Sequence, residues 1–560
     1  MYKKAFARRL KDNKFLIHLW EDEGYSKLEW VNQAYIECSE ADAQFTGLNG
    51  EPLKKISNWR PDNPKLHFHD MPPYQKFLIE KYGINDTPST THKELFFDIE
   101  CEMLDDMSEE GIKRADKKVT SIAWYDKQVD EWGIVVLDEK NHFGTNIKTK
   151  SNKKIIPCRN EGELLAKFLE KFRDIDPDIL VGWNSDYFDV PYLYYRMCNV
   201  LGEDFAKHLS PIGYVRETPW FKDQYIQIAG VESLDYMRLH KKFSWRDEPS
   251  WKLDAIGKKY AGINKIEYEG NLDSLFESDI HKFIEYNFVD VKILVELDKK
   301  LEYLALTKNL SHKGKHNYSE VYANTNTQDG AISAYLLSKS IIPPAKDKDG
   351  KEEKGYAGGY LFCPKAGIYN YMFDEDLTSL YPSIIMSLNI GKETLMGRII
   401  DADSRNNRLG LNDLKSKDPD STLIIKNHKG KRAELTTNQL IQFIEKNKWT
   451  ISANGTMFAT NRQSVLSTIL AKWFQERVLY KGKMKKAYKA KNKEAGAKFH
   501  LLQYTMKILL NSLYGATALP SFRYGNVQLS KAITLSGQRI IQESALVANR
   551  EMNKEIKNVK

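Results

Sequence analysis

KELFFDIECEM, residues Lys93–Met103, sets two carboxylates at the end of an apolar run. Leu95 to Ile99 has strand composition, and side chains alternate between the two faces of a strand. Asp98 and Glu100, two apart, therefore share one face, while Phe97 and Ile99 take the other.

Two later stretches carry acids in related settings. DPDILVGWNSDYFDVPYLYYR (Asp176–Arg196) opens as a buried strand at Ile179, Leu180 and Val181, turns through Gly182, and delivers Asp189 before an aromatic, helix-like run. KFIEYNFVDVKILVEL (Lys282–Leu297) has helical periodicity in Phe283, Ile284, Phe288, Val289, Ile293 and Leu294. On that helix Tyr286 and Asp290 are four apart and share a face. A DxE or a YxxxD by itself is an ordinary surface feature. In the order strand DxE, loop Asp, helix YxxxD, the residues supply four hard carboxylates and a hydroxyl. Metal-assisted phosphodiester hydrolysis needs such a set, because two divalent ions about 3.5–4 Å apart must be bridged by oxygen ligands. The set resembles the 3′–5′ proofreading exonucleases of the DEDD type with a tyrosine. That resemblance implies an RNase H-like fold, with Asp98, Glu100, Asp189 and Asp290 as metal ligands and Tyr286 positioning a water.

With 560 residues and 41% apolar content, the chain is expected to form several domains with real cores. Its 5 cysteines are scattered without a CxxC pair, so neither a disulfide framework nor a zinc site is expected. No signal-peptide pattern and no run of about 18 apolar residues occurs. The expectation is a soluble cytoplasmic protein (in the host cytoplasm if viral) with no membrane association. Charge is uneven: Ser421–Lys560 holds 25 Lys+Arg against 7 Glu and no Asp, while the first 420 residues hold 59 basic and 69 acidic residues. The two parts thus carry +18 and −10. A solvated lysine-rich surface is the plain reading of such a run, and a polyanion partner the functional one. Lysine- and turn-rich stretches around 108–118, 140–155, 343–355 and 402–432 read as loops or insertions.

The second half repeats the acid-at-a-strand-end pattern in FDEDLTSLYPSII, Phe373–Ile385. Further on, residues 463–516 read as two helices separated near Asn492–Gly496. Arg477 and Lys481 share one face of the first helix, and Lys507, Asn511 and Tyr514 form one stripe on the second. An antiparallel pair of this kind can set three cations around a triphosphate, with arginine suited to bidentate contact. DLTSLYPS and KILLNSLYG closely resemble the first two polymerase motifs of family B DNA polymerases. The resemblance runs along essentially the whole chain and is nearest to the replicative enzymes of tailed phages. It implies that Asp376, rather than Asp374, binds metal and that Tyr381 is the steric gate against a ribose 2′-OH. Arg477, Lys481 and Lys507 then bind the triphosphate, with Asn511 and Tyr514 bordering the nascent pair. GYAGGYL (Tyr356, Gly358, Gly359) resembles the family's DNA-contacting YxGG segment.

The expected organisation is multidomain α/β and α+β: an N-terminal domain at 1–92 returning at 305–350, an exonuclease at 93–304, palm at 351–463 and 516–560, and helical-hairpin fingers at 464–515. Family B enzymes place a second catalytic aspartate in a YGDTD hairpin beyond KILLNSLYG, followed by a thumb. No Asp follows Asp420 here, and Glu543, Glu551 and Glu555 lie in a helix-like tail. The expectation is a DNA-directed DNA polymerase with a 3′–5′ exonuclease, present as an N-terminal fragment or split subunit. A second polypeptide would then carry the hairpin and thumb. A truncated or interrupted gene, an autonomous exonuclease and a non-catalytic DNA-binding or assembly subunit stay open beside it. Implied cofactors are two Mg²⁺ per site, with Mn²⁺ as the alternative. Implied partners are primer-template DNA, single-stranded 3′ ends, dNTPs and a sliding clamp.

Overall fold

The computed structural model of the protein describes residues 1–144, 148–150, 153–219, 226–244, 247–347, 358–363, 365–368, 376–400 and 409–558, with only the backbone at 148–150 and 555–558. The chain divides into two compact units: Met1–Asn32 with Pro72–Ala323, and Gln33–Met71 with Asn324–Lys560.

A seven-stranded sheet organises the first unit, in the order Lys148–Lys150, Lys153–Cys158, Glu131–Leu137, Val119–Asp126, Glu94–Cys101, Ile179–Gly182, Glu232–Asp235. The last five of these run third, second, first, fourth and fifth by chain position. The first three pair antiparallel, and the last two continue parallel to the first. This is the RNase H-like arrangement that the resemblance of the four acids and the tyrosine implied.

The Glu94–Cys101 strand lies inside that sheet because both of its faces are covered. Leu95, Phe96, Phe97 and Ile99 are each at most 4% exposed, and burying each contributes about 1.5–3 kcal/mol. Phe97 and Ile99 join Trp124, Leu165, Phe168 and Leu169 in the main core, beneath the helix Glu161–Ile175. Gly133 makes room for that layer, since a Cβ there would stand 2.1 Å from the Trp124 ring. Asp98 and Glu100 project from the opposite face, beside Ala123 and Ser121 of the next strand. The helix Ile280–Leu301 crosses that face. A separate antiparallel meander, Tyr2–Arg9, Lys14–Glu21 and Gly24–Val31, packs one face on the helix Pro73–Tyr82 through Ala5, Ile17, Leu19, Phe77 and Leu78.

Among the described residues, the second unit holds two five-stranded sheets. One orders Ile341–Ile342, Phe45–Gly47, Pro52–Ile56, Ala34–Glu37 and Leu66–His67. The other orders Arg432–Thr436, Thr422–Asn427, Leu395–Ile399, Thr456–Phe458 and Thr450–Ile451, and is backed by Leu440 and Ile444 of the helix Thr437–Asn447. Beside them stands the expected helical hairpin, Val465–Lys489 and Lys493–Thr517. Gly496 falls inside its second helix, and a Cβ there would strike the Tyr488 ring at 2.4 Å. The small residue lets Tyr488 pack across the turn.

Asn389 anchors the start of the hairpin. Its Nδ2 donates to the carbonyls of Ala459 (2.7 Å) and Arg462 (2.8 Å), and its Oδ1 accepts from the Ser464 N–H at 2.8 Å. Ser464 then caps the helix by accepting from the Ser467 N–H.

The loop expectation fails in places. Residues 109–114 are helical, capped by Ser108. Lys153–Cys158 and Thr422–Asn427 are strands. In both strands the lysines share the segment with Ile or Leu that face a core, and the tertiary partner outweighs local composition.

Arg523 ties the second unit together. Its side chain is fully buried, with Nε 2.8 Å from Asp329 Oδ1 and Nη1 2.6 Å from Asp70 Oδ1 and 2.5 Å from the Pro344 carbonyl oxygen. Removing one partner from a buried charge network leaves the others uncompensated, at a cost of about 3–5 kcal/mol. Arg523→Ala is expected to lower the second unit's unfolding free energy by that amount, read as a lower urea midpoint. Arg523→Lys should recover little, because an ammonium cannot reproduce the forked contacts. Chemical denaturation followed by tryptophan fluorescence checks both.

Candidate active site

The strand register and the crossing helix bring the acids of the first half together. Oxygens of Asp98, Glu100 and Asp290 all lie within 4.8 Å of one another, a grouping in which Asp98 and Glu100 keep some exposure and Asp290 is buried. Asp189 opens the helix Asp189–Leu201 and accepts from the Ile99 N–H at 3.3 Å, which sets it beside the DxE strand. All four acids expected from sequence therefore converge. Tyr286 lies one helical turn before Asp290, and its hydroxyl is 3.1 Å from Lys265 Nζ.

Burial dominates the electrostatics, and crowding adds to it. Burial raises the Asp98 carboxyl well above its ordinary range, and the charges of Asp290, Glu100 and Asp189 raise it further. Glu100 is pushed up to about 8, by burial and then by Asp290. Burial lifts Asp189 to about 7 against the opposing Ile99 N–H. Burial raises Asp290 too, against the pull of Lys265.

Two residues of this site were not legible as functional. Lys265 pairs with Asp290 and holds the Tyr286 hydroxyl. It lies outside regular structure, where no periodic pattern marks it. Asn287 donates to Asp98 Oδ2 at 2.7 Å and accepts from Ser121 Oγ at 2.9 Å, so it fixes one carboxylate rotamer. The available clue was a fully buried amide on an apolar helix, which needs partners.

The donors fit a divalent cation. They are all hard oxygens, their mutual repulsion calls for positive charge, and Asp290 Oδ1 is buried with no hydrogen-bond partner among the described residues.

The second-half residues lie in the second unit. Asp376 is exposed just before the helix Leu380–Leu388 and belongs to no metal-type grouping among the described residues. Phe373–Glu375 and Tyr356 lie outside the described residues. Tyr381 packs on Tyr514, with ring centroids 4.3 Å apart and the planes tilted by 33°. Two glycines make way for Tyr381: a Cβ on Gly359 would stand 3.2 Å from its hydroxyl, and one on Gly537 2.9 Å from its ring. The Gly358 carbonyl accepts from Gln538 Nε2 at 2.6 Å. The GG segment, the expected gate tyrosine and the expected base-pair tyrosine thus meet. Arg477 and Lys481 sit on the first hairpin helix, Lys507 and Asn511 on the second. Arg477 Nε is buried without a partner among the described residues, as a group awaiting an anion would be.

A profile of DNA polymerase family B, exonuclease domain, matches residues 74–256, and one of DNA polymerase family B matches residues 325–560. The chain is built from family B DNA polymerase domains. Similar proteins include the DNA-directed DNA polymerases of Escherichia phage RB69, 29% identical over 76% of this chain and 50% of the relative, and of Enterobacteria phage T4, 28% identical over 71% and 47%. A DNA polymerase of Pyrococcus glycovorans is 25% identical over 58% of this chain and 40% of its own. The chain spans about half the length of the phage relatives it matches. Tyr286 and Asp290 fall between the two family B matches, so the geometry is what joins them to Asp98, Glu100 and Asp189. No described helix is long and apolar enough to cross a membrane.

The folded state holds the Glu100 proton up to about pH 8, whereas an unfolded chain releases it near the ordinary value of 4.5. Between these values folding takes up a proton, so the metal-free protein loses stability as pH rises through that window. Thermal melts in EDTA from pH 5 to pH 8 are expected to show the decline. Asp290→Asn should flatten it by removing the charge that, after burial, raises Glu100 most, and added Mg²⁺ should flatten it in the unmodified protein.

Proposed function

We propose that the site around Asp98 hydrolyses a DNA strand from its 3′ end. The observation that carries this reading is the convergence of four carboxylates from a strand, a loop end and a helix, with a tyrosine hydroxyl and a lysine beside them. Asp98, Glu100, Asp189 and Asp290 would hold two Mg²⁺, with Mn²⁺ as a substitute. Ions so held polarise a phosphate and lower the pKa of a bound water. Asn287 keeps Asp98 in one orientation, and the Ile99 N–H does the same for Asp189. Lys265 orients the Tyr286 hydroxyl, which then directs a water toward the scissile phosphorus. Lys265 also offsets charge on Asp290 while the strand is absent.

For the second half, the reading is template-directed dNTP addition to a primer, with Asp376 as one metal ligand and Tyr381 excluding ribonucleotides. Arg477, Lys481 and Lys507 contact the triphosphate, Asn511 and Tyr514 the nascent pair, and Tyr356, Gly358 and Gly359 the DNA backbone. Two-ion phosphoryl transfer needs ligands that fix both ions. These 560 residues contain no YGDTD sequence and no Asp after Asp420. The second carboxylate is therefore assigned to sequence outside them, in a separate subunit or in the remainder of a longer chain. An autonomous exonuclease is the second reading, favoured by the contrast between a four-carboxylate cluster and an exposed Asp376 that joins no acidic cluster among the described residues.

An end-labelled single strand with Mg²⁺ tests both halves. Laddered degradation is expected, reduced to background in Asp98→Ala. Asn287→Ala should lower activity about 10–100-fold, as loss of an outer partner of a metal ligand does. No dNTP incorporation by these residues alone is expected. Incorporation on a primed template would overturn the assignment of the second carboxylate, and intact label would overturn the nuclease reading.

A further inference from the structure

Asp189 is tethered differently from the other three acids. Oxygens of Asp98, Glu100 and Asp290 lie within 4.8 Å of one another, and Asp189 is not in that grouping. The Ile99 N–H that its Oδ1 accepts is 3.3 Å away, just beyond the usual range for such a bond. The place of this carboxylate therefore depends on its backbone. A turn at 183–188 delivers that backbone from the strand Ile179–Gly182 to the helix Asp189–Leu201.

Side chains from the neighbouring strand and the helix after it fasten the turn. The strand Glu232–Asp235 runs parallel to Ile179–Gly182, with Asp235 opposite Gly182. Asp235 Oδ1 accepts from the Asn184 N–H at 2.9 Å. Asn184 has φ +60°, in the left-handed region that asparagine enters more readily than most residues. Its carbonyl accepts in turn from the N–H groups of Tyr187 and Phe188, each at 3.1 Å. Asp186 is only 2% exposed. Its Oδ1 accepts from Ser233 Oγ at 2.8 Å, and its Oδ2 from Arg238 Nη1 at 2.7 Å. Arg238 belongs to the helix Tyr236–Phe243. Tyr322 braces both sides, with its ring 3.8 Å from the Arg238 guanidinium and its hydroxyl donating to the Asp235 carbonyl at 3.2 Å.

A buried ion pair adds little net stability, because desolvation offsets the attraction. What it supplies here is a fixed distance between the turn and the helix Tyr236–Phe243. Without Arg238 the two carboxylates would push the turn away: burial, and then the charge of Asp186, raises the Asp235 carboxyl to about 7, while the Asn184 N–H and Arg238 oppose the rise. We propose that Asp186 and Arg238 are positioning residues, holding the turn so that Asp189 completes the seat of a second divalent ion beside the three-acid grouping. The inference rests on the nuclease reading in taking the cluster as a two-ion site. Displacements of about 1 Å produced far from the reacting atoms can slow an enzyme about 100-fold, so the fastening of one turn is enough to matter.

The experiment titrates Mn²⁺ into the full chain without DNA and follows the free ion by electron paramagnetic resonance. Two ions are expected to bind the unmodified protein. In Asp186→Asn the weaker of the two should bind about tenfold less tightly, as loss of an outer partner predicts at its low end, while the tighter one is kept. Hydrogen–deuterium exchange should quicken at Tyr187, Phe188 and Val190. Arg238→Lys keeps a positive charge and should retain more affinity than Arg238→Met. Combining Asp186→Asn with Arg238→Met leaves neither charge stranded, so this double variant carries the test where a single substitution fails to fold, and the same loss is expected in it. On a labelled single strand, Asp186→Asn should trim about tenfold more slowly at low Mg²⁺, recover as Mg²⁺ is raised, and keep its KM for the strand. A pair that serves the fold alone would lower the melting temperature and leave the Mn²⁺ affinity of the folded protein unchanged. That result would overturn the proposal, as would fewer than two Mn²⁺ on the unmodified protein. Two bound ions with the predicted loss in Asp186→Asn, but intact label in the unmodified protein, would support the positioning role and count against the nuclease reading.

Discussion

Four carboxylates held in one small volume repel one another, and the first unit is arranged to hold them there all the same. The strand Glu94–Cys101 cannot turn Asp98 and Glu100 away without exposing Phe97 and Ile99, because the same alternation fixes both pairs. The helix Ile280–Leu301 cannot withdraw Asp290 without uncovering its own apolar side. Hydrophobic burial over many residues thus outweighs local repulsion, and the strain stays in the site as raised proton affinity. Lys265 relieves part of it with a single positive charge. A site in this condition is disposed toward cations.

The second unit uses a different principle. Its expected nucleotide residues are organised by rings and backbone more than by charge. Tyr381 and Tyr514 pack ring against ring, and Gly359 and Gly537 leave the space that Tyr381 occupies. Asn389 and Ser464 fix where the helical hairpin begins, and with it the direction in which Arg477 and Lys481 are carried. Among the described residues, Asp376 stands apart from any acidic partner. The two units therefore differ in how much of their chemistry they hold within themselves.

Much of this was legible in sequence because it is written in short periods. A spacing of two on a strand and of four on a helix placed Asp98 with Glu100 and Tyr286 with Asp290. The same logic gave the helical hairpin, whose break came within a few residues. What local pattern could not give was pairing at a distance. Lys265 has no periodic context, and only the folded chain sets it between Tyr286 and Asp290. Arg523 lies in a strongly basic stretch where solvation is the default, yet two carboxylates from remote segments enclose it. The lysines of Lys153–Cys158 and Thr422–Asn427 hid strands whose apolar residues find their partners elsewhere in the chain.

Arg523 also has a bearing on how the protein is made. Its bond to Asp70 spans 453 positions, and the segment Gln33–Met71 belongs with residues from Asn324 onward, which leave the ribosome long after it. That segment must wait, its strand edges unpaired, while the intervening domain is synthesised and folds around its own sheet. Closing so long a loop adds little entropy, because the cost grows only with the logarithm of length. The delay is instead one of time: at about 5–20 residues per second, several hundred residues take tens of seconds. Nascent chains of this protein should therefore depend on holdase chaperones that shield residues 33–71 until the C-terminal helices emerge.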